Sequence, residues 1–111
     1  MTINVRTVAQ ATILDLNGPF KAGDAEQAFR NSVSDVLSSG ATKLLVNLGG
    51  VSFLDSSGVG SLVRTFSALK EKGGQFGVFG ATKQVAQVLR MVRLDKVLGL
   101  AEDEATALAN F

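Results

Sequence analysis

Asp55-Ser56-Ser57-Gly58-Val59-Gly60 decides how this chain is read, because of what stands on either side of it. Ahead of it come the apolar run Leu44-Leu45-Val46-Asn47-Leu48 and a short connection, Gly49-Gly50-Val51-Ser52-Phe53-Leu54. Behind it, Val59, Leu62, Val63, Phe66 and Leu69 recur at steps of three and four, the spacing of one helix face. The pattern predicts a strand, a turn and a helix, with two hydroxyls where the helix begins. Main-chain N–H groups at a helix start lack partners and the dipole there is positive, so the place suits an anion such as phosphate. Ser and Asp are equally the preferred N-caps of ordinary helices. Local spacing leaves both uses open.

The flanking segments alternate between the two periods. Ile3 to Val8 and Thr12 to Leu16 read as strands joined at Ala9-Gln10-Ala11 as a hairpin, and Asn17-Gly18-Pro19 reads as a breaker. Asp24 is placed to cap a helix from Ala25 to about Ser38, with Ala25, Ala28, Phe29, Val33, Val36 and Leu37 inward and Gly40 as its stop. Lys43 to Leu48 is apolar enough for a strand covered on both faces. The helix after Ser56 is expected to run to about Lys72 and stop at Gly73-Gly74. Gln75 to Phe79 reads as another buried strand. Thr82 is expected to cap a helix carrying Val85, Val88, Leu89 and Val92. Val97 to Leu100 makes a short last strand and Asp103 to Ala109 a last helix. Met91 and Leu94 are assigned to the core. Alternating strands and helices argue for an α/β chain: a mixed central sheet of about five strands with about four flanking helices, drawn on one face.

Composition bounds what such a chain does. It has 111 residues, 46% of them hydrophobic, the size of one domain, here residues 1–111. Cysteine is absent, which excludes disulfides and thiolate chemistry and fits a reducing compartment. A net charge of +1 gives no electrostatic case for nucleic acid or an anionic membrane. Lys83, Arg90, Arg93 and Lys96 read as the solvated face of a helix. The first residues lack a signal-peptide apolar region and no run is long enough to span a bilayer, so the expected location is cytoplasmic.

With neither His nor Cys, the chain holds no Ser-His-Asp or Cys-His site and no zinc site built on N or S ligands. Gly58-Val59-Gly60 lacks the third glycine of a dinucleotide fingerprint, no P-loop occurs, and Ser56-Ser57 lacks the flanking glycines of a nucleophile elbow. A binding protein is expected rather than an enzyme, with no cofactor.

Val46-Asn47-Leu48 followed by Val51 to Gly60 resembles the anti-sigma factor antagonists of bacteria, the free-standing members of the STAS family. The similarity continues through Lys72-Gly73-Gly74-Gln75 and Val78, and into Val88-Leu89-Arg90-Met91 with Leu94. The resemblance implies that Ser56 is phosphorylated by an anti-sigma factor with serine-kinase activity. It further implies that the unphosphorylated form binds that partner and frees a sigma factor, and that a serine phosphatase resets the switch. Asp55, Ser57, Gly58, Val59 and Gly60 would surround the phosphosite and meet the partner. After the second strand the chain departs from the family, reading Gly18-Pro19-Phe20-Lys21, so the family's acidic group there is either missing or supplied by Asp24. Two other readings are a STAS subunit of a larger transport or stress-sensing assembly that is not phosphorylated, and a small nucleotide-binding module using the Asp55–Gly60 loop.

Overall fold

The structure is a computed structural model covering Met1–Phe111. Its elements run β1 (Thr2–Val8), β2 (Ala11–Phe20), α1 (Asp24–Ser38), β3 (Lys43–Leu54), α2 (Ser56–Glu71), β4 (Gln75–Phe79), α3 (Lys83–Met91), β5 (Leu100–Ala101) and α4 (Glu104–Ala109). The five strands lie in sequence order, β1 antiparallel to β2 and every later pair parallel. The mixed sheet and four helices expected from the sequence are present. The hairpin turns at Ala9 and Gln10, both at positive φ, the twist that suits a two-residue connection.

Strands added in one direction through right-handed crossovers send every crossover helix to the same side. The core follows that rule: Leu14, Val46 and Val78 share a face and pack with Phe29 and Val33 of α1, Leu62 and Leu69 of α2, and Val85 and Leu89 of α3. The opposite face carries Ile13, Leu45 and Phe79, and α4 covers it through Ala107. Four helices on one face is therefore corrected to three and one. α4 comes after β5 and is not a crossover between two strands of this sheet.

Two strands are longer than expected. Asn17-Gly18-Pro19 does not end β2, which continues to Phe20, and Gly49 to Leu54 belongs to β3 rather than to a connection. The pairing steps from Asp15↔Asn47 to Asn17↔Gly50, and from Gly18↔Val51 to Pro19↔Phe53, so β3 carries one extra residue at each step. These bulges absorb the irregular residues without ending the ladder. Pairing with β1 stops at Asn17, so Pro19 has a neighbouring strand on one side only and its missing N–H leaves no gap. Gly50 is dictated by close approach: a Cβ there would lie 2.2 Å from Asn17 Oδ1 and 2.6 Å from the Leu16 carbonyl oxygen.

Smaller corrections follow from packing. Asp24 is the first residue of α1, not its cap; Gly23 holds that position at φ 102° and no side chain caps the helix. The last strand is Leu100–Ala101, with Val97 exposed in the turns before it. Met91 and Val92 are exposed, whereas Leu94 packs against the core. Thr82 caps α3 as expected, its hydroxyl accepting from the Val85 N–H at 3.3 Å. No helix is long and apolar enough to cross a membrane.

Candidate functional site

The long β3 ends at Leu54, and the Asp55 N–H still donates to the Phe20 carbonyl at 3.3 Å. Asp55 is the N-cap of α2 in extended conformation, its Oδ1 accepting from the Gly58 N–H at 2.9 Å. Its second oxygen, Oδ2, accepts from the Ala22 N–H at 3.1 Å. One carboxylate thus ties the start of α2 to the connection that leads into α1. The Gly58 N–H above all holds the Asp55 carboxyl below its ordinary value; desolvation opposes it, and the amides of Ala22 and Ser57 add smaller lowering contributions. The role of Asp55 that its sequence position left open is resolved as capping.

With Asp55 as cap, Ser57 is not one. Ser56 and Ser57 are the first two helical residues, and neither hydroxyl enters the capping hydrogen bonds. The Ser56 side chain is exposed and Ser57 half-buried. The two motif glycines differ. A Cβ on Gly58 would meet Leu54 Cδ1 and the Phe20 carbonyl oxygen, each at 2.6 Å, so Gly58 lets the helix start sit flat against the end of β2. At Gly60 the only neighbour is the Arg64 guanidinium, at 3.3 Å. Val59 is partly buried and packs against the core. Asp24 stands exposed in the first turn of α1, beside the motif only through the main-chain link from Ala22 to Asp55.

Phe53 is 54% exposed, one residue short of the end of β3. Large exposed aromatics are enriched in protein contact surfaces. Arg64 reaches Glu26 of α1 at 3.6 Å and Ser61 Oγ at 3.2 Å. Ser61 and Thr65 are buried where α1 and α2 meet, and Thr65 Oγ1 donates to the Ser61 carbonyl at 2.8 Å. Sequence reasoning missed both, since small hydroxyl residues interrupt the apolar stripe; their spacing of four on the core side of α2 was the available signal.

A second polar group, also unforeseen, lies on the α4 face of the sheet. Arg6 donates from Nε to Asp15 Oδ2 at 2.7 Å and from Nη2 to Oδ1 at 3.1 Å, and pairs with Glu104 through both terminal nitrogens. Asn47 Nδ2 adds a donor to Asp15 Oδ1 at 2.8 Å. Glu104, then Asp15, raises the Arg6 pKa, and both carboxyls are held low in return. This cluster fastens α4 to the sheet.

The family model of the STAS domain matches residues 2–107. The chain belongs to the STAS domain family. A curated relative, the anti-sigma F factor antagonist of Paenibacillus polymyxa, is 29% identical over 65 residues, which cover 59% of this chain and 56% of that protein. The match thus spans little more than half the length of that relative. Among solved structures, a Thermotoga maritima protein described as a candidate anti-sigma factor antagonist superposes with a TM-score of 0.90 at 21% identity, over 97% of this chain and 92% of that one. The Bacillus cell fate determinant SpoIIAA, in its phosphorylated form, gives 0.75 at 20% identity, over 98% and 97%. These likenesses establish the STAS fold.

Proposed function

We propose that this chain is an anti-sigma factor antagonist, with residues 1–111 acting as one cytoplasmic binding module whose affinity is switched by phosphorylation of Ser56. The observation that carries the reading is the division of labour at the start of α2. Asp55 does the capping, so the exposed Ser56 hydroxyl is available on a turn anchored from two sides. The names of the curated relative and of the structural neighbours support the same role. The partner is an anti-sigma factor with serine-kinase activity. Binding it frees a sigma factor, and a serine phosphatase returns phosphorylated Ser56 to the active form.

A phosphate adds roughly −1.5 to −2 charges at neutral pH. At the first helical position the dipole favours that charge by about 0.3–1 kcal/mol, so the fold tolerates it. A docked partner pays the opposite way, because a hydrated dianion within the contact, next to Asp55, costs several kcal/mol. At about 1.4 kcal/mol per factor of ten, that difference breaks a complex without refolding either protein.

Titration calorimetry against the cognate anti-sigma factor tests this. Ser56→Ala is expected to bind like the unmodified chain, and Ser56→Asp to bind about a hundredfold more weakly. Equal affinity for the unmodified chain and Ser56→Asp contradicts the switch.

A further inference from the structure

The long open edge of the sheet is β1, which pairs with β2 on one side and with nothing on the other; the opposite edge strand, β5, has 2 residues. The β1–β2 register advances one residue at a time from Thr2↔Asn17 to Val8↔Ala11, with none of the irregular steps between β2 and β3. Sheets that avoid edge-to-edge association keep their edge strands short, bulge them, or place Lys or Pro on them. β1 uses none of these devices. Thr2-Ile3-Asn4-Val5-Arg6-Thr7-Val8 carries a single charge, and Arg6 is already held by Asp15 and Glu104.

The hairpin fixes which main-chain groups are free. In a two-residue connection the flanking pair, here Val8↔Ala11, exchanges its hydrogen bonds, and such pairs alternate with unbonded ones along the ladder. Thr2, Asn4, Arg6 and Val8 therefore bond to β2, while Ile3, Val5 and Thr7 turn their N–H and C=O groups to the open edge. Val5 is the middle one of these three and the middle of the strand. Its side chain lies on the face of Leu14 and is 51% exposed.

We propose that this edge pairs with β1 of a second copy of the chain, antiparallel and about a two-fold axis at Val5, so that two sheets join into one. Val5 then faces Val5 of the partner copy and Ile3 faces Thr7, in bonded pairs that supply about six main-chain hydrogen bonds. On the other face Asn4 stands opposite Arg6 and Thr2 opposite Val8, so no like charges meet. Centring the axis on Arg6 would set two guanidiniums face to face, and centring it on Asn4 would leave Thr7 and Val8 without partners. The strand is thus self-complementary over its whole length in one register. A contact of one strand is small, which places the association at about 10–100 μM. Ser56 follows β3, with β2 between it and β1, so the pairing does not rest on the phosphorylation switch.

Sedimentation equilibrium of the full chain, up to about 1 mM, tests it together with single-cysteine crosslinking. The mass is expected to rise from one chain to two with the midpoint in that range. Val5→Lys sets two ammonium groups face to face and should weaken the dimer at least about tenfold, while the exposed position keeps the melting temperature nearly unchanged. The chain has no cysteine of its own, so a single one reports the register. Val5→Cys brings two Cα atoms to about 5.5 Å and should form a disulfide dimer on oxidation. Thr7→Cys, exposed on the same strand, leaves them about 14 Å apart and should not. Three results overturn the proposal: a monomer at every concentration, a dimer that Val5→Lys leaves unchanged, or crosslinking of Thr7→Cys as readily as of Val5→Cys.

Discussion

The Asp55 carboxylate accepts the main-chain N–H of Ala22, 33 residues earlier, at 3.1 Å through Oδ2 while its Oδ1 caps α2 at Gly58. A single side chain thereby fixes the first turn of α2 against the segment entering α1, and the Ser56 hydroxyl projects from that fixed turn. Asp55→Ala is expected to lower the melting temperature by a few degrees, and Asp55→Asn, which keeps an accepting oxygen for the cap, by less. If thermal unfolding shows Ala and Asn to be equally costly, capping is not what Asp55 contributes.

Gly58 and Gly60 are expected to separate sharply. Gly58→Ala places a methyl 2.6 Å from the Phe20 carbonyl oxygen, and denaturant unfolding should report a loss of about 1–3 kcal/mol. Gly60→Ala meets only the end of the flexible Arg64 side chain and gains helix propensity, so it should be neutral or stabilising by up to about 1 kcal/mol.

The Arg6 cluster predicts a pH dependence. Asp15 and Glu104 titrate lower in the folded chain than their ordinary values of 3.8 and 4.5. Their contribution is therefore complete above about pH 4.5 and is lost as pH falls through the folded values. Arg6 stays charged throughout that range and adds nothing to the slope. Arg6→Met should cost about 1 kcal/mol at pH 7 and should lose less stability than the parent chain on acidification, as followed by urea unfolding at several pH values.

Phe53→Ala should leave stability nearly unchanged, because the ring is already more than half exposed, yet weaken the anti-sigma factor complex about tenfold or more. Unchanged affinity would remove Phe53 from the contact surface.

Phosphorylation should leave the core undisturbed. Amide shifts are expected to move around Asp55–Gly60 and Ala22, and to stay in place at Leu14, Leu45 and Val46, which are fully buried in the sheet. Widespread movement in the core would mean that refolding, rather than added charge, operates the switch.

Much of this was legible in the residues. The run Leu44 to Leu48 fits a strand buried on both faces, since Leu44 and Val46 pack beneath the crossover helices while Leu45 points to α4. Thr82 caps the helix it precedes, as read, because capping acts within three residues; Asp103, read as the first residue of the last helix, is its cap instead. What escaped the sequence was set by partners far along the chain. Gly18-Pro19 carries the local chemistry of a break, and only pairing with Val51 and Phe53 keeps it in a strand. Asp24 looks like a cap until Gly23, at φ 102°, takes the position before it. Arg6 meets Glu104 across 98 residues, a contact no local pattern encodes. The motif itself was legible in position but not in roles: which of Asp55 and Ser57 caps the helix depends on the approach of Ala22 and Phe20.

The most direct test of the central claim is an intact-mass and fragment analysis of the protein taken from its native cells. The account predicts a single phosphate on Ser56 in a fraction of the molecules that changes with growth condition. A chain unmodified under every condition, or one modified at Ser57 instead, would contradict it.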